Sequence, residues 1–553
     1  MTQEDTLVVE PIIGLEVHVQ LATRTKMWCG CGAEFGRPPN TGVCPVCLGL
    51  PGALPVMNRR AVEYAILTGL ALSCKIARSA NWDRKSYYYP DLPKNYQVSQ
   101  YDLPLCENGY VELKSDHRIQ KIRIKRAHLE EDAGKNVHGF GDCTAVDLNR
   151  AGIPLLEIVT EPDLHSADEA RELAVQLQRL VRYLRVSEAN MQKGQMRFEP
   201  NINLKITGNQ GEYRTPIVEV KNLNSFRSLH GAISFEVQRQ LDSWRQTGAV
   251  AEVGNKSNRG WDDVREVTTP QREKEEAHDY RYFPDPDLVP LTTDPDWVDE
   301  LREHLPELPI PRTERFISEF KLSANDAPVL VDCRATADLL DHAADAGGDK
   351  ITLGKHFLGF WSKYANRRQT TIAGLRIPAR RMAELANLVK DREISATAAA
   401  RVAQVMVEQV AKEANKRGGE GAMGKHRKAH DDTSGVEFAR TGAAKSLSLA
   451  ARPAADICTI VCDSLDSPDI APAKLAEEIG LLQSTDEDET AVWVDQALAA
   501  NQKAVQDALA NPKKLKAARG FLTGQVVKLS GGKADPKIVG ALIEKRLLEI
   551  ANT

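Results

Sequence analysis

The sequence predicts an α+β N-terminal domain followed by an all-α helical domain and a small α-helical tail domain. Three observations predict it. The chain opens on a clean alternation of apolar and polar residues, the signature of a half-buried strand. Capped amphipathic helices then alternate with further strand patterns as far as about residue 298. Beyond a proline-rich stretch, Pro284 to Pro311, the chain becomes Ala- and Leu-rich with helical periodicity. A length of 553 residues suits two to four domains, and three are placed: 1–298, 299–481 and 482–553.

In order along the chain, Ile13, Leu15, Val17, Val19 and Leu21 share one strand face, and Glu16, His18 and Gln20 share the other. Arg118 to Arg126, Leu155 to Val159 and Phe198 to Ile206 read as further strands. Ser166-x-x-Glu169 forms a capping box ahead of Leu173, Leu177, Leu180, Val181 and Leu184 on one helical face. Another helix is expected from about Phe226 to Trp244. Arg312 to about Val410 reads as helical, and the pattern resumes near Ala471. Between them, residues 412–435 are polar and Gly-rich, and 412–464 is expected to be a flexible insertion.

Composition narrows the function classes. Hydrophobic residues make up 42% and charged residues 27%, which excludes a wholly disordered chain, and the net charge of −5 excludes a chain-wide polycation. The most apolar segment, Ala61 to Cys74, contains Glu63 and is too short to span a bilayer. No secretory signal is visible at MTQEDTLVVEPIIG. Of ten cysteines, four lie between Cys29 and Cys47. That distribution fits a cytoplasmic protein with one metal site better than a disulfide framework.

Four constellations could carry chemistry. Cys29-x-Cys31 and Cys44-x-x-Cys47 are two thiol pairs on turns supplied by Gly30, Gly32, Gly42 and Pro45, the pattern of a closed tetrahedral zinc site; free thiols are the alternative. Glu16-x-His18 points two ligands the same way from one strand. The acidic cluster Glu130, Glu131, Asp132 and the lone Glu157 in the apolar run LLEIV join it as candidates for a magnesium ion, with an arginine partner for Glu157 as the other reading. Polar and aromatic runs at 83–97, 196–204, 219–226 and 275–287 suit a polyanionic ligand with bases to stack on, or a solvated surface. The C-terminal part switches sharply in charge. Glu477 to Ala510 carries eight acids and one base, and Pro512 to Leu548 nine bases and two acids. Lys513, Lys514, Lys516, Arg519, Lys528, Lys533 and Lys537 there suit phosphate contacts. GEGAMGKH at 419–426 lacks the terminal Ser/Thr of a P-loop and does not follow a strand, so it is set aside.

Together these residues resemble the B subunits of tRNA-dependent amidotransferases. The matching segments are IGLEVHVQL, the four-cysteine pattern, DRKSYYYPDLPKNYQVSQYD, RAHLEEDAGK, VDLNRAGIPLLEIVTEPD, EVKNLNSF and EEAHDYRYFPDPDL; the C-terminal FLTGQVVKLSGGKADPKIV resembles the family's tail. The resemblance implies a cradle domain with a glutamine-synthetase-like fold and a ligase reaction. ATP activates the side-chain carboxylate of misacylated Glu-tRNA(Gln) or Asp-tRNA(Asn), and ammonia displaces the phosphate. It implies magnesium ligands at Glu16, His18, Glu131 and Glu157, with Glu130 the alternative to Glu131. Lys85 is implied as a charge stabiliser or channel residue, and Arg197, Asn222 and Asn224 as nucleotide or tRNA contacts. It further implies a heterotrimer, in which the glutaminase (the A subunit) supplies ammonia and the small C subunit bridges the two. Where the family has an RCDAN-type segment, this chain reads Arg197-Phe198-Glu199-Pro200-Asn201.

Overall fold

A computed structural model describes residues 7–115, 118–140, 143–209, 211–252, 256–271, 280–421, 471–482, 487–510, 512–531 and 533–551. The chain divides into two units between Pro309 and Ile310. The first is sheet-rich and the second helical.

The first unit is built on a ten-stranded sheet. Four antiparallel neighbours form its functional part, in the order Met196–Gly208, Val8–Gln20, Pro154–Thr160 and Arg118–Glu131. Alternation explains how each is used. Ile13, Leu15, Val17, Val19, Leu156, Ile158, Phe198 and Ile202 are almost wholly buried. They join Val62 and Ile66 of the helix Arg59–Ala71, Leu173, Leu177 and Val181 of Ala167–Tyr183, and Leu229 and Ile233 of Phe226–Thr247 in one core. Each fully buried side chain of this size contributes roughly 1.5–3 kcal/mol. Glu16, His18 and Gln20 consequently stand on the opposite, polar face.

The capping box forms with one adjustment. Ser166 accepts from the Glu169 N–H, while the Glu169 carboxylate reaches back to the N–H of His165 rather than of Ser166. A three-stranded sheet of Phe283–Pro284, Asp83–Ser86 and Tyr96–Ser99 meets the end of Arg118–Glu131, where the Gln97 side chain donates to the Glu131 carbonyl and the Val98 N–H to its carboxylate.

The unit extends past the expected boundary at 298. Helix Pro295–Glu303 places Val298 in the first core, and Trp297, Leu301, Leu305 and Leu308 pack against it. An apolar face continuing through the prolines carries the division to residue 309.

The second unit begins with helices from Pro309–Glu319 to Ala396–Gly421, the last running ten residues into the segment expected to be flexible. Residues 422–464 of that insertion, the end of the GEGAMGKH motif, and residues 275–279 of the 275–287 run lie outside the described residues. Helices Glu487–Ala500, Gln502–Ala510, Pro512–Leu529 and Pro536–Ala551 share a separate core that includes Val494, Leu522, Val526, Val539 and Ile543. Among the described residues no helix is long and apolar enough to cross a membrane.

Candidate active site

Strand register assembles the site. His18 is paired with Glu157 on one side and Arg197 on the other, and Glu157 is paired in turn with His128. Arg197, His18, Glu157 and His128 therefore form one row across four strands on the polar face. His18 Nε2 lies 3.4 Å from Glu130 Oε1 and 3.4 Å from Glu157 Oε2; His128 Nε2 lies 3.7 Å from the same Glu157 oxygen. Glu16 stands one pleat away, opposite Glu199, and accepts a 2.9 Å hydrogen bond from Asn201 Nδ2.

The electrostatics are those of too many anions in too little water. Burial, then repulsion from Glu157, pushes the Glu130 carboxyl up to about 7, against the pull of His18 and Lys85. Burial also opposes ionisation of Glu157, but His128, His18 and Lys85 outweigh it and hold that carboxyl well below the usual range. Burial works against a charged His18, yet its hydrogen bond to Glu157 and the charges of Glu157, Glu130 and Glu199 raise it to about 9. Burial keeps His128 neutral, down at about 4. His18, Glu130 and Glu157 each offer a ligand atom, and these atoms lie within 4.8 Å of one another. Two buried carboxylates that repel each other beside an imidazole fit a divalent cation, and oxygen-rich donors suit magnesium.

The sequence expectation of Glu131 in this set is corrected to Glu130 as regards position. Ile122 and Ile124 face the core, and uninterrupted alternation would send Glu131 to the polar face. A register shift against Val159/Thr160 resets the phase, so Ala127 and Leu129 face the core while His128 and Glu130 face the site. Glu131 instead forms a buried ion pair with Lys94 and accepts from the Val98 N–H at 2.9 Å. It lines a cavity of about 250 Å³ with Lys26, Trp28, Cys47, Lys94 and Arg84.

Lys85 projects from Asp83–Ser86 among tyrosines, its Nζ 4.8 Å from the Tyr280 ring centre and 6.0 Å from that of Tyr87. Burial opposes its charge, but Tyr282, Glu130 and Glu157 raise its pKa above the ordinary lysine value, so it remains an ammonium facing the acidic cluster. Arg197 is fixed by Asp132, which takes a 2.6 Å bond from its guanidinium and a 2.7 Å bond from Gln20. Asp132 thus belongs to the arginine and not to the cation site. Asn222 and Asn224 are exposed on the turn after the Val218–Lys221 strand, where Asn222 has φ of 67° and donates to the Trp261 carbonyl at 3.0 Å. Sequence reasoning missed His128, Glu199 and Asn201. Period two counted outward from Glu130 and from Arg197 would have found them.

Cys29, Cys31, Cys44 and Cys47 come together, with all four sulfurs within 4.8 Å of one another. Cys44 Sγ and Cys47 Sγ are 3.9 Å apart. A tetrahedral centre with metal–sulfur bonds of about 2.3 Å requires sulfurs about 3.8 Å apart, so the donor set fits zinc. In the tail, helix Pro512–Leu529 carries Lys513, Lys514, Lys516, Arg519 and Lys528. Arg519 pairs with Glu544 at 2.8 Å.

Comparison with known proteins decides the family. The model of the GatB/GatE catalytic domain matches residues 11–299, and that of the GatB domain matches residues 453–547. The chain belongs to the GatB family. A relative from Thermoanaerobacter sp. (strain X514) is 38% identical over 538 residues, covering 97% of this chain and 99% of its own. One from Caldicellulosiruptor saccharolyticus is 39% identical over 545 residues, covering 98% and 99%. One from Rhodopirellula baltica is 48% identical over 395 residues, covering 70% and 79%. All three are named as the B subunit of aspartyl/glutamyl-tRNA(Asn/Gln) amidotransferase. The first match ends at residue 299, inside helix Pro295–Glu303 and next to the boundary expected at 298. The second begins inside the segment expected to be an insertion, so residues 453–464 are family sequence.

Proposed function

We propose that this chain is the activating and amidating subunit of a ligase that converts misacylated Glu-tRNA(Gln), Asp-tRNA(Asn) or both to the amide. The convergence of His18, Glu130 and Glu157 beside the cations Lys85 and Arg197 carries the reading. A carboxylate is a poor acyl donor because its leaving group would be oxide. An oxygen of the aminoacyl side chain therefore attacks the γ-phosphorus of ATP, ADP leaves, and a mixed acyl phosphate forms. Ammonia attacks the acyl carbon, inorganic phosphate leaves with its electron pair, and a proton is released as the amide forms.

This chain's groups make both steps accessible. Lys85 and Arg197 offset the charge of the transferring phosphoryl group in a site shielded from water. Glu16, His18, Glu130 and Glu157 would hold magnesium, which would supply neutralisation of phosphate charge. Asn201 fixes the Glu16 carboxylate. Cys29, Cys31, Cys44 and Cys47 hold a structural zinc. Asn222 and Asn224, exposed on the turn after the Val218–Lys221 strand, would contact nucleotide or the tRNA end, and the basic tail would contact tRNA phosphates. Ammonia comes from a glutaminase partner, the A subunit, bridged by the small C subunit, in a cytoplasmic heterotrimer. The sheet-rich unit then serves as the glutamine-synthetase-like cradle.

The test is phosphate release and amide formation by the purified chain with Mg-ATP, ammonium and Glu-tRNA(Gln) or Asp-tRNA(Asn). Both products are expected, and neither without ATP. Tight binding of tRNA with no ATP consumed would refute the reading and leave an RNA-binding adaptor.

A further inference from the structure

The four-cysteine segment is stitched to one loop. The Met27 N–H donates to the Gly152 carbonyl at 2.7 Å. Asn40 donates from Nδ2 to the Val146 carbonyl at 3.0 Å and accepts from the Leu148 N–H at 2.8 Å. The Gly42 N–H donates to Asn149 Oδ1 at 2.7 Å, and Asn149 Nδ2 donates to the Pro38 carbonyl at 2.7 Å. This loop, 146–153, runs directly into Pro154–Thr160, the strand that carries Glu157.

Lys26 is the one ionic link in that seam among the described residues. It is 0% exposed, and its ammonium donates to Cys47 Sγ at 3.6 Å and to the Leu148 carbonyl at 3.3 Å. A buried ammonium is costly unless an anion faces it. Glu131 Oε2 also approaches the place where a side chain at Gly152 would stand, but Glu131 makes its ion pair with Lys94, through Oε1, and none with Lys26. The Cys47 sulfur is the remaining anion, and the Cys44 N–H also donates to it, at 3.1 Å. Four thiolates around one Zn²⁺ leave a net charge of −2, which a single lysine halves. Such outer partners fix metal ligands in place.

We propose that Lys26 is the charge-compensating bridge between the four-cysteine centre and the 146–153 loop, so that zinc occupancy sets the order of the backbone feeding Glu157. Without the metal nothing clamps the four sulfurs together, and the turns from Cys29 to Cys47 no longer hold Cys47, Asn40 and Gly42 in place against Lys26 and the loop. Lys26 acts through the loop and is a positioning residue. The inference rests on the zinc reading above.

Amide hydrogen exchange of residues 146–153, measured on the full-length protein with and without zinc, tests it. Zinc removal by a chelator is expected to speed exchange there at least tenfold while the helix Phe226–Thr247 is unchanged. Lys26→Met is expected to show the fast exchange even when loaded, and to release zinc to a chelating dye at least tenfold faster. Lys26→Arg is expected to restore both. Wild-type protein that contains zinc yet keeps its loop protection after removal would overturn the coupling, as would Lys26→Met with wild-type exchange and release. Wild-type protein that binds no zinc, with Cys29→Ala identical to it, would remove the zinc reading itself. The removal arm needs no variant, so the result stands even if Lys26→Met does not fold.

Discussion

Two candidate metal centres lie in the first unit, and they are built in opposite ways. The sulfur centre comes from nineteen consecutive residues folded on turns, between Cys29 and Cys47. The oxygen-rich centre takes His18, Glu130 and Glu157 from three strands separated by more than a hundred residues at the widest, and holds them by sheet register. Local turns bring soft ligands to a metal that then stabilises the turns. A rigid sheet holds hard ligands in mutual repulsion, ready for a cation that arrives with a substrate. The first arrangement suits structure and the second catalysis.

The sharpest break in that comparison is at Glu157. Glu157→Gln is expected to lower ATP-dependent amidation by about 10³-fold, the several kcal/mol that metal neutralisation of transition-state charge supplies. Melting temperature is expected to fall, because His18 and Lys85 lose the carboxylate they hold, a loss that relief of repulsion with Glu130 offsets only in part. Phosphate release in steady state checks the first, and thermal unfolding the second. Activity within threefold of wild type would show that the sheet centre is not catalytic.

Glu130 and Glu131, adjacent in sequence, separate cation binding from stability. Glu130→Gln is expected to weaken Mg²⁺ dependence by about tenfold or more with stability kept. Glu131→Gln leaves the Lys94 ammonium buried without its partner and is expected to cost ~2 kcal/mol of stability while the Mg²⁺ dependence stays near wild type. A magnesium titration of activity and a urea melt on both variants measure the contrast. The reverse pattern would mean that the register shift at Val159/Thr160 does not set the ligand.

This pair also marks how far the sequence could be read. Alternation in Ile13 to Leu21 correctly divided core from site, and the cysteine spacing announced its centre because all four ligands lie in one short segment. The place of Glu130 beside His18 and Glu157 was hidden because a one-residue shift inverts which face every later side chain takes, and RIQKIRIKRAHLEE carries no mark of where the shift falls. Period two puts His128 and Asn201 on the same face as Glu130 and Arg197, but their partners Glu157 and Glu16 lie on neighbouring strands, which only the register brings beside them. Lys26 reads in TRTKMWC as an ordinary surface lysine, and only burial against Cys47 and Leu148 gives it a role. The boundary near 298 was placed by its prolines, whereas Val298 and Leu301 follow the core beneath them.

Metal exchange distinguishes the centres by softness. One equivalent of Co²⁺ added to metal-free protein is expected to occupy the cysteines first, giving a thiolate-to-cobalt charge-transfer band that Cys29→Ala abolishes and Glu157→Gln leaves intact. A cobalt spectrum without thiolate absorption would place the tighter site at the carboxylates and invert the comparison.

Acid titration of either centre needs one correction from outside both, and it is the smallest effect expected here. His356, in the helix Lys350–His356, is buried beside Phe360, with no hydrogen-bond partner for Nδ1. Burial lowers its pKa from 6.5 to about 4. A histidine depressed on folding binds its proton in the unfolded chain first. Its contribution is therefore complete above pH 6.5 and lost as pH falls from 6.5 towards 4. That gap sets a ceiling of roughly 3 kcal/mol, and local relaxation brings the expected loss to about 1–2 kcal/mol. His356→Leu should flatten the pH dependence of the second unit's unfolding over this range while leaving the acid loss of cobalt from the cysteines unchanged. A variant that still loses stability between pH 6.5 and 4 as the wild type does would assign the acid sensitivity to the first unit, where burial holds His128 down at about 4 and Glu157 and Asp132 are held below the usual carboxylate range.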